Sequence, residues 1–157
     1  MAEEYIRNEY DKIRKNHLLS FIGCSAGPKD KRNIFKWNIL LKGPNKTCYE
    51  NGLFKLLMEF PSNYPEEPPS INFVTKIYHP NISPNDGAIC ISSKSSDWDN
   101  HRNIVNIIYS IFDLLQKPNL EHGLNKDALL LYKNNKEEFE IKAREFTKEN
   151  AFDLSQK

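Results

Sequence analysis

The sequence predicts an α+β fold, because its strand-like patterns come early in the chain and most of its helical patterns come late. Four short apolar stretches with partial alternation lie between residues 18 and 74, and apolar residues at helical spacing follow from residue 104 onward. The chain has 157 residues, which is the size of one ordinary domain, and it shows no internal repeat. We therefore expect a single domain over residues 1–157.

The first half of the chain predicts one helix followed by an antiparallel meander. Residues 2 to about 15 place Ile6, Tyr10 and Ile13 at helical spacing among charged residues, which is typical of an amphipathic helix. The proline-rich residues 61–69 exclude a central strand from that part of the chain. Turns are predicted at 27–30 and 43–45, and strands at 18–22, 34–40, 53–60 and 71–74.

The second half predicts a long irregular segment and then helices. Residues 75–101 show no periodicity, and so long a segment without regular structure in a compact domain is usually functional or disordered. Apolar residues repeat at helical spacing from Ile104 to Leu115 until Pro118 ends the pattern, which predicts a buried central helix behind the sheet. A short helix is predicted at 128–132, and a closing helix carries the apolar stripe Phe139, Ala143 and Phe146.

Composition limits the partners and the compartment of the protein. Lys and Arg number 22 against 21 Asp and Glu, a net charge of +1, so the basic excess of a nucleic-acid-binding protein is missing. No apolar run approaches the ~18 residues of a membrane span, and the acidic start lacks the pattern of a targeting segment. Three scattered cysteines, Cys24, Cys48 and Cys90, indicate neither a disulfide framework nor a zinc site. We expect a cytoplasmic and/or nuclear protein that binds neither nucleic acid nor a membrane.

The irregular segment contains a candidate nucleophile and a candidate amide donor. Cys90 is a thiol that can attack activated acyl groups, and the thioester so formed stays reactive. Asn81 could stabilise the oxyanion of such a transfer, although an Asx turn that holds the loop is an equally good interpretation. His79 looks like a general base from its residue type alone. Cys24 and Cys48 are expected to be buried apolar residues.

These residues resemble the hallmark of the ubiquitin-conjugating enzymes, a His-Pro-Asn triplet a short loop before an active-site cysteine, followed by a tryptophan and a long helix. His79-Pro80-Asn81, Cys90 and Trp98 carry the resemblance, which covers nearly the whole chain to about Asn150. It implies a ubiquitin-conjugating catalytic core domain with an N-terminal helix, a four-stranded antiparallel meander, a long active-site loop, a central helix and two C-terminal helices.

The resemblance also implies a reaction and a set of partners. An activating enzyme would pass ubiquitin to Cys90 as a thioester, and a substrate lysine or a ligase cysteine would then take it. His79, Pro80 and Trp98 would organise the loop, with Asn81 near the transferred carbonyl. No cofactor is expected on this chain, since ATP is used upstream by the activating enzyme. The partners implied are ubiquitin or a ubiquitin-like modifier, the activating enzyme and a ubiquitin ligase.

Departures from the family pattern concern the acceptor lysine. Members that react readily with lysine commonly have acidic residues just after the cysteine and in the loop beyond Pro-Asn. This chain has Ser92 at the first place and Glu121-His122 at the second. We therefore expect weak discharge to free lysine relative to discharge to a thiol, although Glu121 could swing into the missing carboxylate's role.

Other departures concern protein partners. Glu66 stands where many members place an aromatic residue that contacts ligases. Asp99-Asn100-His101 stands where a Ser-Pro-Ala sequence often follows the tryptophan. The predicted ligase contacts are therefore unusual, with charge setting specificity. Ser25 matches a rear-face strand position that binds a second ubiquitin in some members, but an exposed strand serine is usually only solvated.

Three alternatives remain open from the sequence. The first is a non-catalytic ubiquitin-binding variant of the same fold, against which the presence of Cys90 argues directly. The second is a conjugating enzyme for another modifier such as SUMO, although those relatives tend to be basic and to carry insertions. The third is a Cys-His hydrolase, in which His79 or His122 would serve as the base. Thioester behaviour separates these functions.

Overall fold

The structure is a computed structural model that describes residues 1–89, 103–121 and 123–155. It has an N-terminal helix, a sheet and a set of C-terminal helices. The elements in chain order are α1 (Ala2–Asn16), a short 3-10 helix (Ser20–Ile22), β1 (Cys24–Asp30), β2 (Asn33–Lys42), β3 (Gly52–Glu59), β4 (Ser70–Phe73), α2 (Ile104–Gln116), α3 (Lys126–Asn134), α4 (Lys136–Asn150) and β5 (Phe152–Asp153). The predicted α+β class, with strands before most of the helices, is confirmed.

The sheet is the predicted antiparallel meander in the order β1-β2-β3-β4, with one addition. β4 pairs with residues 56–59 of β3, so the start of β3 has an open edge on that side. There β5 pairs antiparallel, with Leu53 opposite Phe152 and Gly52 opposite Asp153. The sequence did not predict this two-residue strand.

The beginning of the sheet corrects two predictions. Residues 18–22 do not form a strand, because Leu19 and Ile22 are buried three positions apart, which suits a helical turn rather than period-two alternation. The first strand begins instead at Cys24. It includes residues 27–30, which were predicted as a turn, and its register shifts between Pro28 and Asp30. β1 is an edge strand, where a proline without an N–H group is tolerated.

The core lies between the inner face of the sheet and the helices. β2 and β3 contribute alternating residues that are fully buried, among them Trp37, Phe54, Leu56 and Met58. α2 contributes Ile104, Ile107, Ile108 and Ile111, none more than 3% exposed, so the predicted buried central helix is confirmed. Burying each such side chain contributes roughly 1.5–3 kcal/mol before conformational entropy is subtracted.

The helices begin at asparagine caps. Asn103, Asn125 and Asn135 each accept a hydrogen bond from the backbone N–H three residues later, which satisfies one open donor of α2, α3 and α4 respectively. In the described parts of the chain, no helix has both the length and the apolar character needed to cross a membrane. The main consequence for function is a buried α2 that contacts α1 at its first residue and His79 near its last turn.

Candidate active site

The His-Pro-Asn loop is part of the folded core. β4 leads into it, and residues 77–82 are all buried. The hydroxyl of Tyr49 donates to the carbonyl oxygen of Tyr78 at 2.7 Å, and its ring lies 5.8 Å from that of His79. Ile82 forms an isolated β-bridge with Ile89. The loop is therefore fixed on both sides of His79, directly before the segment that contains Cys90.

His79 uses both ring nitrogens within the fold. Its Nδ1 accepts from the backbone N–H of Asn81 at 3.0 Å, so its Nε2 carries the proton and donates to the carbonyl oxygen of Leu114 at 2.8 Å. Burial lowers the pKa of His79 to about 4 against the opposing effect of the Leu114 carbonyl. The imidazole is thus neutral at physiological pH and engaged on both sides.

Asn81 holds a neighbouring loop through its side-chain amide. Its Oδ1 accepts from the backbone N–H of Asn119 at 2.7 Å, and its Nδ2 donates to the carbonyl oxygen of the same residue, also at 2.7 Å. Asn81 is fully buried. Its neighbour Pro80 accepts from the backbone N–H groups of Leu124 and Asn125. Together these bonds attach the loop after α2 to the His-Pro-Asn loop.

Glu121 lies on the loop that Asn81 holds. Its backbone N–H donates to Oδ1 of Asn119 at 2.9 Å, and its side chain is exposed. The structure therefore brings Asn81 and the loop that carries Glu121 together. The sequence marked Pro118 as the end of a helical pattern, and it gave no signal that the backbone of Asn119 would be the partner of Asn81.

Several predicted site residues lie outside the described residues. These are Cys90, Ser92, Trp98, Asp99, Asn100 and His122. Of the predicted partner contacts, Glu66 is exposed in a turn closed by its backbone N–H and the carbonyl oxygen of Asn63 at 2.9 Å. Ser25 is exposed on β1, opposite Leu40 of β2.

The other two cysteines have the predicted buried environment. Burial raises the pKa of Cys24 to about 12 and that of Cys48 to about 11, so neither is a thiolate at neutral pH. Their expected role as small buried apolar residues is confirmed. Within residues 1–89, 103–121 and 123–155, the structure has no cluster of three or more histidine, cysteine or acidic residues that could hold a metal ion.

Comparisons with known proteins cover most of the chain. The family described as ubiquitin-conjugating enzyme matches residues 5–147. A probable ubiquitin-conjugating enzyme E2 31 from Arabidopsis thaliana is 37% identical over 150 residues, 96% of this chain and 94% of the relative. Ubiquitin-conjugating enzyme E2 G2 from Homo sapiens is 35% identical over 130 residues, 74% of this chain and 78% of the relative. On these matches and the fold described above, the chain belongs to the ubiquitin-conjugating enzyme family.

Proposed function

We propose that this chain accepts ubiquitin from an activating enzyme as a thioester on Cys90 and transfers it to a lysine or to a ligase cysteine. Family membership supports a transferase of the ubiquitin pathway. The single observation that carries the proposal is the fixed His-Pro-Asn loop, which comes shortly before Cys90 in the sequence, while Cys24 and Cys48 are both buried. No cofactor is bound, ATP is consumed by the activating enzyme, and the protein works in the cytoplasm and/or the nucleus.

The chemistry is two successive acyl exchanges. The Cys90 thiolate attacks the carbonyl carbon of ubiquitin's C-terminal glycine, and the activating enzyme's thiolate leaves. An amine or thiol of the acceptor then attacks the new thioester, loses its proton to solvent or a nearby base, and releases the Cys90 thiolate. Each step passes through a tetrahedral oxyanion that hydrogen-bond donors stabilise.

The bonding of His79 argues against a hydrolase that uses His79 as its base. A hydrolase needs a base that can take a proton from water, and both nitrogens of His79 are already bonded to backbone groups. Its depressed pKa, about 4, also makes the ring a weak base. We assign His79 the loop-organising role, with Pro80 and Trp98 in the same role. With His79 held in this way, the proposed thioester does not have this ring as a base that would activate water.

We assign Asn81 a part in transfer, through the loop that it holds. Its two bonds to Asn119 keep the loop that bears Glu121 against the His-Pro-Asn loop. A direct bond to the oxyanion is the second role that the sequence predicts for Asn81. Both roles require an intact amide, so Asn81→Ala should lower the rate of thioester discharge more than it lowers charging. Both roles would be contradicted if Asn81→Ala and the wild type had the same charging rate and the same discharge rate.

The experiment that tests the proposal is a charging reaction. The protein is mixed with activating enzyme, ATP and ubiquitin, and gels are run with and without reductant. We expect a reductant-sensitive adduct that Cys90→Ala abolishes. Cys24→Ala and Cys48→Ala are matched controls that should still charge. Failure of the wild-type protein to charge with ubiquitin would refute the proposal.

The same reaction separates the other functions. SUMO and further ubiquitin-like modifiers, each supplied with its own activating enzyme, replace ubiquitin in parallel reactions. An adduct with one of these alone would indicate a conjugating enzyme for that modifier. A hydrolase would release the modifier without accumulating an adduct, and a ubiquitin-binding module would bind ubiquitin without forming any adduct.

A further inference from the structure

Glu9 connects three parts of the fold through its carboxylate. It lies on α1, and its Oε1 accepts from the backbone N–H of Ile104, the first residue of α2, at 2.8 Å. Its Oε2 accepts from the hydroxyl of Tyr64 at 2.7 Å. Tyr64 belongs to the segment 61–69, which also carries Glu66. These two contacts span 95 and 55 positions of sequence, so the carboxylate links regions that the chain itself does not connect closely.

The partner of Glu9 in the segment 61–69 is itself held firmly. Tyr64 is 2% exposed, and its ring packs edge-on against Phe60 at a centroid distance of 4.8 Å and against Tyr5 at 5.8 Å. A buried aromatic side chain with a satisfied hydroxyl has little freedom to move. The bond from Tyr64 therefore fixes the carboxylate of Glu9 relative to this segment.

The far end of α2 meets the His-Pro-Asn loop. Leu114 supplies the carbonyl oxygen that His79 Nε2 contacts, and the same ring accepts from the backbone N–H of Asn81. Ile104 and Leu114 are ten residues apart, which is roughly 15 Å along a helix. One buried helix is thus bonded at its first residue to Glu9 and near its last turn to the loop before Cys90.

We propose that Glu9 is a positioning residue, which sets α2 relative to the segment 61–69 and so sets the His-Pro-Asn loop for transfer from Cys90. This inference rests on the proposed function, because transfer is its readout. Glu9 touches neither ubiquitin nor the reacting thiol in this scheme. It acts only through the backbone of α2 and the hydroxyl of Tyr64.

The raised pKa of Glu9 allows its positioning role to be tested separately from its contribution to stability. Partial burial raises the pKa of Glu9, while the Ile104 N–H, Tyr64 and the charge of Lys12 oppose the rise. A carboxyl group with a raised pKa stabilises the fold most at low pH, and that contribution is lost as the pH rises through the raised value. The ionised carboxyl therefore stabilises the fold less than its protonated form does. A neutral replacement of the same shape should preserve stability while weakening both bonds.

The test uses Glu9→Gln, Tyr64→Phe, the double variant and the control Glu4→Gln. Glu4 is exposed on the same helix, so its variant matches the charge change without touching α2. Each protein is charged with ubiquitin, the activating enzyme is quenched, and single-turnover discharge to free lysine and to free cysteine is followed. Urea unfolding at pH 7 and the amide proton shift of Ile104 by NMR are measured on the same samples.

For Glu9→Gln we expect an unchanged or raised unfolding midpoint, an Ile104 amide proton moved upfield, and discharge slowed roughly tenfold. This loss is within the roughly 100-fold that misplacement of reacting groups can cost. Tyr64→Phe should also slow discharge, and the double variant should be no slower than the slower single variant, because either change breaks the same link. Glu4→Gln should match the wild type in every measurement.

Three outcomes would overturn the inference. One is discharge at the wild-type rate by a folded Glu9→Gln variant, whether or not the Ile104 amide has shifted. Another is multiplication of the two single losses in the double variant, which would mean that Glu9 and Tyr64 act separately. The third concerns the case in which Glu9→Gln does not fold. Discharge at the wild-type rate by a folded Tyr64→Phe variant would then overturn the inference. A wild-type protein that never charges would refute the proposed function instead, so the two failures are distinguishable.

Discussion

The neutral, buried imidazole of His79 predicts a specific loss of stability in acid. The pKa of His79 falls from the ordinary 6.5 to about 4 in the folded state, chiefly because burial penalises the charged ring. At about 1.4 kcal/mol for each pKa unit, this difference corresponds to about 3 kcal/mol. Because the folded value is the lower one, this contribution is complete above about pH 6.5 and is lost as the pH falls toward 4.

A substitution that cannot titrate isolates this effect. In His79→Gln the side-chain amide can still donate toward the carbonyl oxygen of Leu114, but the bond from the backbone N–H of Asn81 to His79 Nδ1 is lost. Removing one partner of a buried hydrogen bond costs about 1–3 kcal/mol. At pH 7 we therefore expect the variant to be less stable than the wild type by that amount. The difference should shrink between pH 6.5 and pH 4 and reverse if the cost is at the low end of the range.

The assay is urea unfolding of both proteins at half-unit steps from pH 7.5 to pH 4, with the free energy of unfolding compared at each pH. Taking the difference between the two proteins removes the titration of groups that the substitution does not affect. NMR of the ring nitrogens would report the proton on Nε2 at neutral pH. A stability difference that stays constant across this pH range would refute the account of a neutral, buried His79.

Three further predictions concern the loops. Gly87→Ala should lower the free energy of unfolding, measured with urea, by about 1–2 kcal/mol or more. The φ of Gly87 is 72°, in the left-handed region, and a Cβ there would overlap the carbonyl oxygen of Phe73. Gly27→Ala should cost less, because the φ of Gly27 lies outside the left-handed region. In single-turnover assays the wild type should discharge faster to cysteine than to lysine, and His122→Asp should raise the rate of discharge to lysine severalfold. Equal rates of discharge to lysine and to cysteine in the wild type would contradict the prediction of weak lysine discharge. Glu66→Phe should change which ligases bind in pull-down or titration, and unaltered binding of generic ligases would contradict a charge-based ligase contact.

The sequence predicted the fold well where a regular repeat of buried residues extends over many positions. The helical repeat from Ile104 to Leu115 and the alternation in β2 and β3 each extend over several residues, so one apolar face is readable. The short elements were harder. A single 3-10 turn at residues 20–22 has the same composition as a strand start, and Phe152 of β5 is 68% exposed, so no apolar signal marks it.

The sequence indicated two buried side chains of the candidate site, His79 and Asn81, but not the groups to which they bond. The His-Pro-Asn triplet identified His79 and Asn81, and both lie buried beside the candidate acceptor loop. Glu9 was placed only among the charged residues of an amphipathic helix, because a carboxylate that accepts from a backbone N–H 95 positions away leaves no local pattern. Long-range bonds of this kind depend on how helices and loops pack, which one sequence does not reveal.

The partners of the motif explain why so short a motif can define the site. His79 binds the backbone oxygen of Leu114, and Asn81 binds both backbone groups of Asn119. A backbone atom is available whatever side chain its residue carries, so a change at position 114 or 119 leaves the hydrogen bond possible as long as the local backbone is kept. A change at His79 or Asn81 removes it outright. These hydrogen bonds therefore depend on the side chains of His79 and Asn81, whereas α2 and the loop after it need only keep the same backbone conformation.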